Sequence, residues 1–118
     1  MKTLIIGASS RPERYSFLAL DSLLKHNHEV IAIGKHQQTI NGLLIETEKK
    51  PFQGVHTVTM YLNPSNQKEY YDYVVGLKPQ RVIFNPGTEN PEFFAILNSH
   101  KIPYESACTL VLLSTGQF

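Results

Sequence analysis

Residues 1–16 read MKTLIIGASSRPERYS. The apolar run Leu4-Ile5-Ile6 stops at Gly7 and gives way to small, hydroxylated and basic residues. The run is continuous rather than alternating, the pattern of a strand buried on both faces, as parallel strands usually are. Beyond the loop, Phe17, Leu20, Leu23 and Leu24 recur at helical spacing, which predicts a helix from about Tyr15 to His26. A buried strand, a small-residue turn and an amphipathic helix make the first half of a β-α-β unit. This stretch therefore commits the chain to the α/β class.

The same alternation continues to the end of the chain. Glu29 to Ile33 (EVIAI) is a second strand, rich in β-branched residues. Asn41-Gly42 marks a turn, and Leu43 to Ile45 is a candidate short third strand. Val55 to Leu62 is a further strand. Asn63-Pro64-Ser65 then places a capping residue before a proline at the first helical position. That helix carries Tyr70, Tyr71 and Val74, and Gly76 is the residue expected to end it. Arg81 to Phe84 is a strand, and Asn90-Pro91-Glu92 repeats the cap-then-proline signal ahead of Phe93, Phe94, Ile96 and Leu97. Pro103 to Glu105 reads as a short edge strand and Thr109 to Leu113 as a last helical turn or two. With no repeat and no linker, residues 1–118 are expected to form one domain. Its architecture is three-layered, a doubly wound parallel sheet of about five strands with helices on both faces. Ligands of such sheets bind at the carboxyl ends of the strands, where the strand order reverses.

Composition excludes several function classes. The 118 residues are 42% hydrophobic and 18% charged, with a net charge of +1. No global basic field points to nucleic acid. No apolar stretch approaches the ~20 residues that span a membrane. The apolar run at the N-terminus is also too short for a signal-peptide core. A single cysteine, Cys108, leaves no internal disulfide framework, and no Cys/His pair has the spacing of a zinc site. A cytoplasmic protein is expected.

The first loop suits an anion. Gly7 allows a tight turn and close backbone approach, and the helix behind it directs unsatisfied N–H groups at the strand ends. Ala8 keeps the turn small, Ser9 and Ser10 add hydroxyls, and Arg11 and Arg14 add charge. The dinucleotide fingerprint G-x-G-x-x-G is absent, as is the G-x-x-x-x-G-K-[ST] phosphate loop. A simple capped turn with solvated arginines is the competing reading. At the end of the second strand, where NAD-binding domains carry a carboxylate, the chain has Gly34-Lys35-His36. A lysine there suits a ribose bearing a phosphate, as in NADP or coenzyme A; a surface lysine in a turn is the alternative. In NPGTEN, Asn85, Gly87 and Thr88 offer donors at the same rim, or Pro86-Gly87 is merely a turn and Asn90 a cap.

Together these residues resemble the small stand-alone CoA-binding family, relatives of the CoA-binding domain of succinyl-CoA synthetase. That family has a first loop like G-A-S-x-x-P-x-R-x-S, and this chain reads Gly7-Ala8-Ser9-Ser10-Arg11-Pro12-Glu13-Arg14-Tyr15-Ser16. Gly87-Thr88-Glu89-Asn90 matches its Gly-x-Glu-Asn-like segment, and Cys108 lies where a cysteine is common. Gly34 departs from the family's usual Asn-Pro ahead of the lysine.

The resemblance implies a Rossmann-like fold with coenzyme A or an acyl-CoA as ligand. Gly7, Ser9 and Ser10 would approach the pyrophosphate with Arg11 and Arg14 as charge partners. Lys35 would meet the ribose 3′-phosphate, and Asn85 to Thr88 would border the pyrophosphate or pantetheine. The leading reading is a non-catalytic binding or sensing module that works with a protein partner or as a homodimer. A small NADP-dependent or redox enzyme and an interaction subunit without nucleotide are the alternatives. Cys108 reads either as a small buried hydrophobe or as a thiol facing the pantetheine arm.

Overall fold

The computed structural model describes residues 2–9, 11 and 13–118. Among them seven strands form one sheet: β1 (Lys2–Ala8), β2 (Glu29–Gly34), β3 (Thr39–Ile40), β4 (Leu43–Glu46), β5 (Val55–Met60), β6 (Arg81–Phe84) and β7 (Tyr104–Ser106). Their order is β3-β4-β2-β1-β5-β6-β7. Every neighbouring pair is parallel except β3 with β4. The helices are α1 (Tyr15–Lys25), α2 (Pro64–Gln67), α3 (Tyr71–Leu77), α4 (Pro91–Ser99) and α5 (Thr109–Ser114).

The α/β architecture matches the reading of the sequence, but the sheet has seven strands where about five were expected. The additional edge comes from a hairpin: Asn41 and Gly42 both have positive φ, 49° and 83°, the backbone a tight two-residue loop requires. Thr39 and Ile40 pair antiparallel with Leu44 and Leu43 across it. Two residues are too few to show alternation, so β3 has no periodic signature of its own.

The helix expected from Pro64 to Gly76 is three pieces. A 3-10 turn over Lys68–Tyr70 separates α2 from α3. Gly76 lies inside α3, and Lys78 takes the left-handed position beyond it at φ 51°. Asn63 and Asn90 act as caps, accepting from the N–H of Asn66 and Phe93.

Each face of the sheet has its own core. Leu4, Ile6, Ile33, Val58, Met60, Val82 and Phe84 meet Val74 of α3 and Phe93 and Leu97 of α4. On the other face Ile5, Ala32 and Ile45 meet Leu20 and Leu23 of α1 and Leu113 of α5. Adjacent β1 residues thus point to opposite cores, which is why its apolar run is unbroken. From β1 the chain winds outward through β2 to β4, then returns to β5 on the far side of β1. The carboxyl ends of β1 and β5 therefore flank the reversal point, and a crevice opens there.

Phe93 is fully buried and lies edge-on to Phe84, with ring centroids 5.6 Å apart. Phe93→Ala should lower unfolding free energy by about 3–5 kcal/mol through lost burial and the cavity left behind. Val111→Ala, at a largely exposed position, should change it by no more than about 0.5 kcal/mol. Urea denaturation of both variants checks the contrast; equal effects would contradict the assigned core.

Candidate functional site

Two glycines shape the crevice. At Gly7, φ is 94° and the β1–β2 register shifts between Ile6 and Ala8, so β1 bulges by one residue there before pairing again at Ala8. A Cβ on Gly7 would sit 3.0 Å from the Tyr61 carbonyl carbon and 3.1 Å from the Leu62 side chain. Only a glycine lets the turn pass this close to the end of β5. Gly34 pairs with Ala8 across the sheet, and a Cβ there would collide with the Ala8 carbonyl oxygen and approach Ile45 Cγ2 at 3.0 Å. That contact is the physical reason for glycine at position 34 of this chain.

The resulting cleft has a volume of about 570 Å³. Gly7, Ala8, Ser9, Arg11 and Arg14 line it from the first loop, Lys35 and His36 from the end of β2, and Thr88 from the loop after β6. Arg11, Arg14 and Lys35 are exposed. Among the described residues, the ion pairs of the molecule engage none of these three cations. The first turn of α1 carries no acidic side chain, and Tyr15 and Ser16 of that turn also face the cleft. Positive charge therefore gathers at one end, with a helix N-terminus behind it. Ser9 shapes the loop from within, its hydroxyl accepting from the Arg11 N–H at 3.2 Å. Ser10 and Pro12 lie outside the described residues.

The opposite wall is Tyr61, Leu62, Asn66, Glu69, Tyr70 and Pro86. Pro86 falls in the segment Asn85 to Thr88 expected at the site, whereas Tyr61, Asn66, Glu69 and Tyr70 were not singled out from the sequence as site residues. Tyr70, expected as helix face or dimer surface, and Tyr61 join the cleft through the placement of the end of β5 and the 3-10 turn after α2 beside β1, which is a long-range effect. Burial pushes the Tyr61 phenol up to about 12, with the Thr109 and Thr59 hydroxyls pulling the other way. It therefore stays a neutral hydrogen-bonding group at ordinary pH.

The loop after β6 is largely engaged within the protein. Asn85 is buried; its Nδ2 donates to Thr59 Oγ1 at 2.7 Å and to the Met60 carbonyl at 2.9 Å, and its Oδ1 accepts from the Thr109 N–H at 2.9 Å. Thr88 Oγ1 donates to the Asn85 carbonyl at 2.7 Å, and the Gly87 N–H donates to Glu89 Oε1 at 2.8 Å. Asn85 and Gly87 hold the rim's shape and do not line the cleft, whereas Thr88 does. Cys108, half-buried at the start of α5, is likewise not among the lining residues. A second depression, of about 530 Å³, lies near the amino end of β5 between Phe52, Gly54, Asp72 and Tyr73.

Residues 1–114 match the family described as a CoA binding domain. No curated protein matches the chain. Among solved structures, that of an uncharacterized protein is 48% identical with a TM-score of 0.96, over 99% of this chain and 97% of that one. A Thermus thermophilus protein shares 18% identity at a TM-score of 0.87, covering 99% and 90%. A Pyrococcus furiosus protein shares 23% at 0.84, covering 93% and 97%. The last two show the Rossmann-like fold alone.

Gly34→Ala should cost about 1–3 kcal/mol of folding stability, because the backbone oxygen of Ala8 must shift to admit the methyl group. Gly42→Ala has open space but a positive φ, so it should cost about 1 kcal/mol from backbone strain alone. Thermal denaturation compares them. A Gly34→Ala protein as stable as the wild type would show that Ala8 and Gly34 are not in forced contact.

Proposed function

Because the chain belongs to the CoA-binding domain family, we propose that the cleft between the first loop, the end of β2 and the start of α2 binds coenzyme A or an acyl-CoA. The observation that carries this reading is the convergence of Arg11, Arg14 and Lys35 on one cleft beside the N-terminus of α1. CoA combines a pyrophosphate with a ribose 3′-phosphate, and the two need separate cationic partners. Gly7, Ala8 and Ser9 give the pyrophosphate close backbone approach, with Ser10 and the two arginines as further partners. Lys35, on the next strand, takes the 3′-phosphate as a point charge.

The protein acts as a binding module rather than as a catalyst. The Thr88 hydroxyl is already donated to a backbone carbonyl and burial keeps the Tyr61 phenol neutral, so neither serves as a nucleophile or base in the cleft. A carrier or sensor that hands its state to a protein partner, or acts as a homodimer in the cytoplasm, fits this chemistry.

Calorimetric titration with CoA, dephospho-CoA and NADP tests the reading. CoA should bind at least about tenfold more tightly than dephospho-CoA, the value of one charge-assisted contact. Lys35→Ala should reduce CoA to the level of dephospho-CoA while leaving dephospho-CoA itself unchanged. Binding of NADP without CoA would contradict the reading in favour of a nicotinamide cofactor. Binding of none of the three would favour an interaction subunit.

A further inference from the structure

Gln67, the last residue of α2, is fully buried. Its Nε2 donates to the Leu62 carbonyl at 2.8 Å and to the Thr88 carbonyl at 2.8 Å. Leu62 belongs to the loop after β5 and Thr88 to the loop after β6, and both line the cleft. One side chain thus ties together the two loops that form the wall opposite the cations. Its orientation is fixed by a chain of one-way donors. The Phe93 N–H donates to Asn90 Oδ1, so the Asn90 amide must offer Nδ2 elsewhere, and it reaches Gln67 Oε1 at 3.0 Å. Gln67 is left with both N–H groups for the two carbonyls. Asn90 Nδ2 also donates to Tyr71 Oη at 2.9 Å, which donates to Glu92, so the chain is anchored on α3 and α4.

A core position that served packing alone would be filled by an apolar side chain, since burying an amide is unfavourable unless all its hydrogen bonds are made. Here they are made, and two of the three end on cleft loops. We propose that Gln67 is a positioning residue: it sets the separation of Leu62 and Thr88 and with it the shape of the part of the cleft that receives the pantetheine arm. This rests on the CoA reading of the cleft. The strand order β2-β1-β5-β6 lays the ligand out along the sheet. With the 3′-phosphate on Lys35 at β2 and the pyrophosphate at the β1 turn, the pantetheine runs on past β5 to β6, a span of roughly 14 Å from β2 over three strand spacings.

The test compares the whole cofactor with the fragment that stops short of Gln67. Wild type and Gln67→Met are titrated calorimetrically with CoA and with adenosine 3′,5′-bisphosphate. The substitution should weaken CoA about tenfold and the bisphosphate by less than about twofold. Equal loss for both ligands, or no loss for either, overturns the positioning role while leaving the CoA reading intact. A wild type that binds neither ligand removes both. Should Gln67→Met fail to fold, the side-chain NH2 resonances of Gln67 in the wild type decide. CoA should move them and adenosine 3′,5′-bisphosphate should not; identical responses to the two ligands overturn the role.

Discussion

The carbonyl oxygen of Ala8 lies over the bare Cα of Gly34, and the geometry of the cleft follows from that contact. Parallel strands normally diverge where their connections begin. Here β2 stays paired with β1 to its last residue, through the irregular step after Ile6. Lys35 and His36 are thereby delivered beside Ser9 and Arg11 rather than to a separate corner of the surface. Gly7 does the complementary work on the other side, letting the turn skirt Tyr61 and Leu62. Two residues without side chains thus bring three loops to one place.

The two halves of the cleft are held by different forces. The cationic half is backbone geometry carrying exposed, solvated side chains, whose attraction for a multiply charged ligand is screened by salt and acts over a Debye length of about 8–10 Å. The facing half is stitched from within. Thr109, Thr59 and Asn85 share hydrogen bonds, Asn85 connects to Thr88, Thr88 to Gln67, Gln67 to Asn90, and Asn90 to Tyr71. Such a satisfied buried network resists deformation, because breaking any link strands a buried donor or acceptor. A soft electrostatic half that captures and a stiff half that shapes is a sensible division for a ligand with a charged head and a long polar arm.

Much of this was legible from local signals. The unbroken run Leu4-Ile5-Ile6 announced a strand between two cores, and Asn63-Pro64 and Asn90-Pro91 marked two helix starts that the structure keeps. Local chemistry of that kind acts within a few residues. What the sequence did not reveal depends on distance. Asn85 looked like a rim donor because its partners, Thr59 and Thr109, lie 26 and 24 positions away. Gln67 falls in the helix expected after Asn63-Pro64, and nothing nearby predicts that α4 and two loops close over it. Ile40 belongs to a strand too short to show a period, although the Asn41-Gly42 turn beside it is a hairpin signal that could have identified the edge. Gly76 failed as a helix end because Lys78 accepts the left-handed conformation itself.

The most direct test of the proposed site is a titration of isotope-labelled protein with CoA, followed through its backbone amide resonances. The amides of Gly7, Ala8, Ser9, Gly34 and Lys35 should move together along one saturable curve, while those of Phe52, Gly54 and Tyr73 at the other depression stay still. Saturable shifts confined to that second depression, or none at all, would contradict CoA binding at the crevice between β1 and β5.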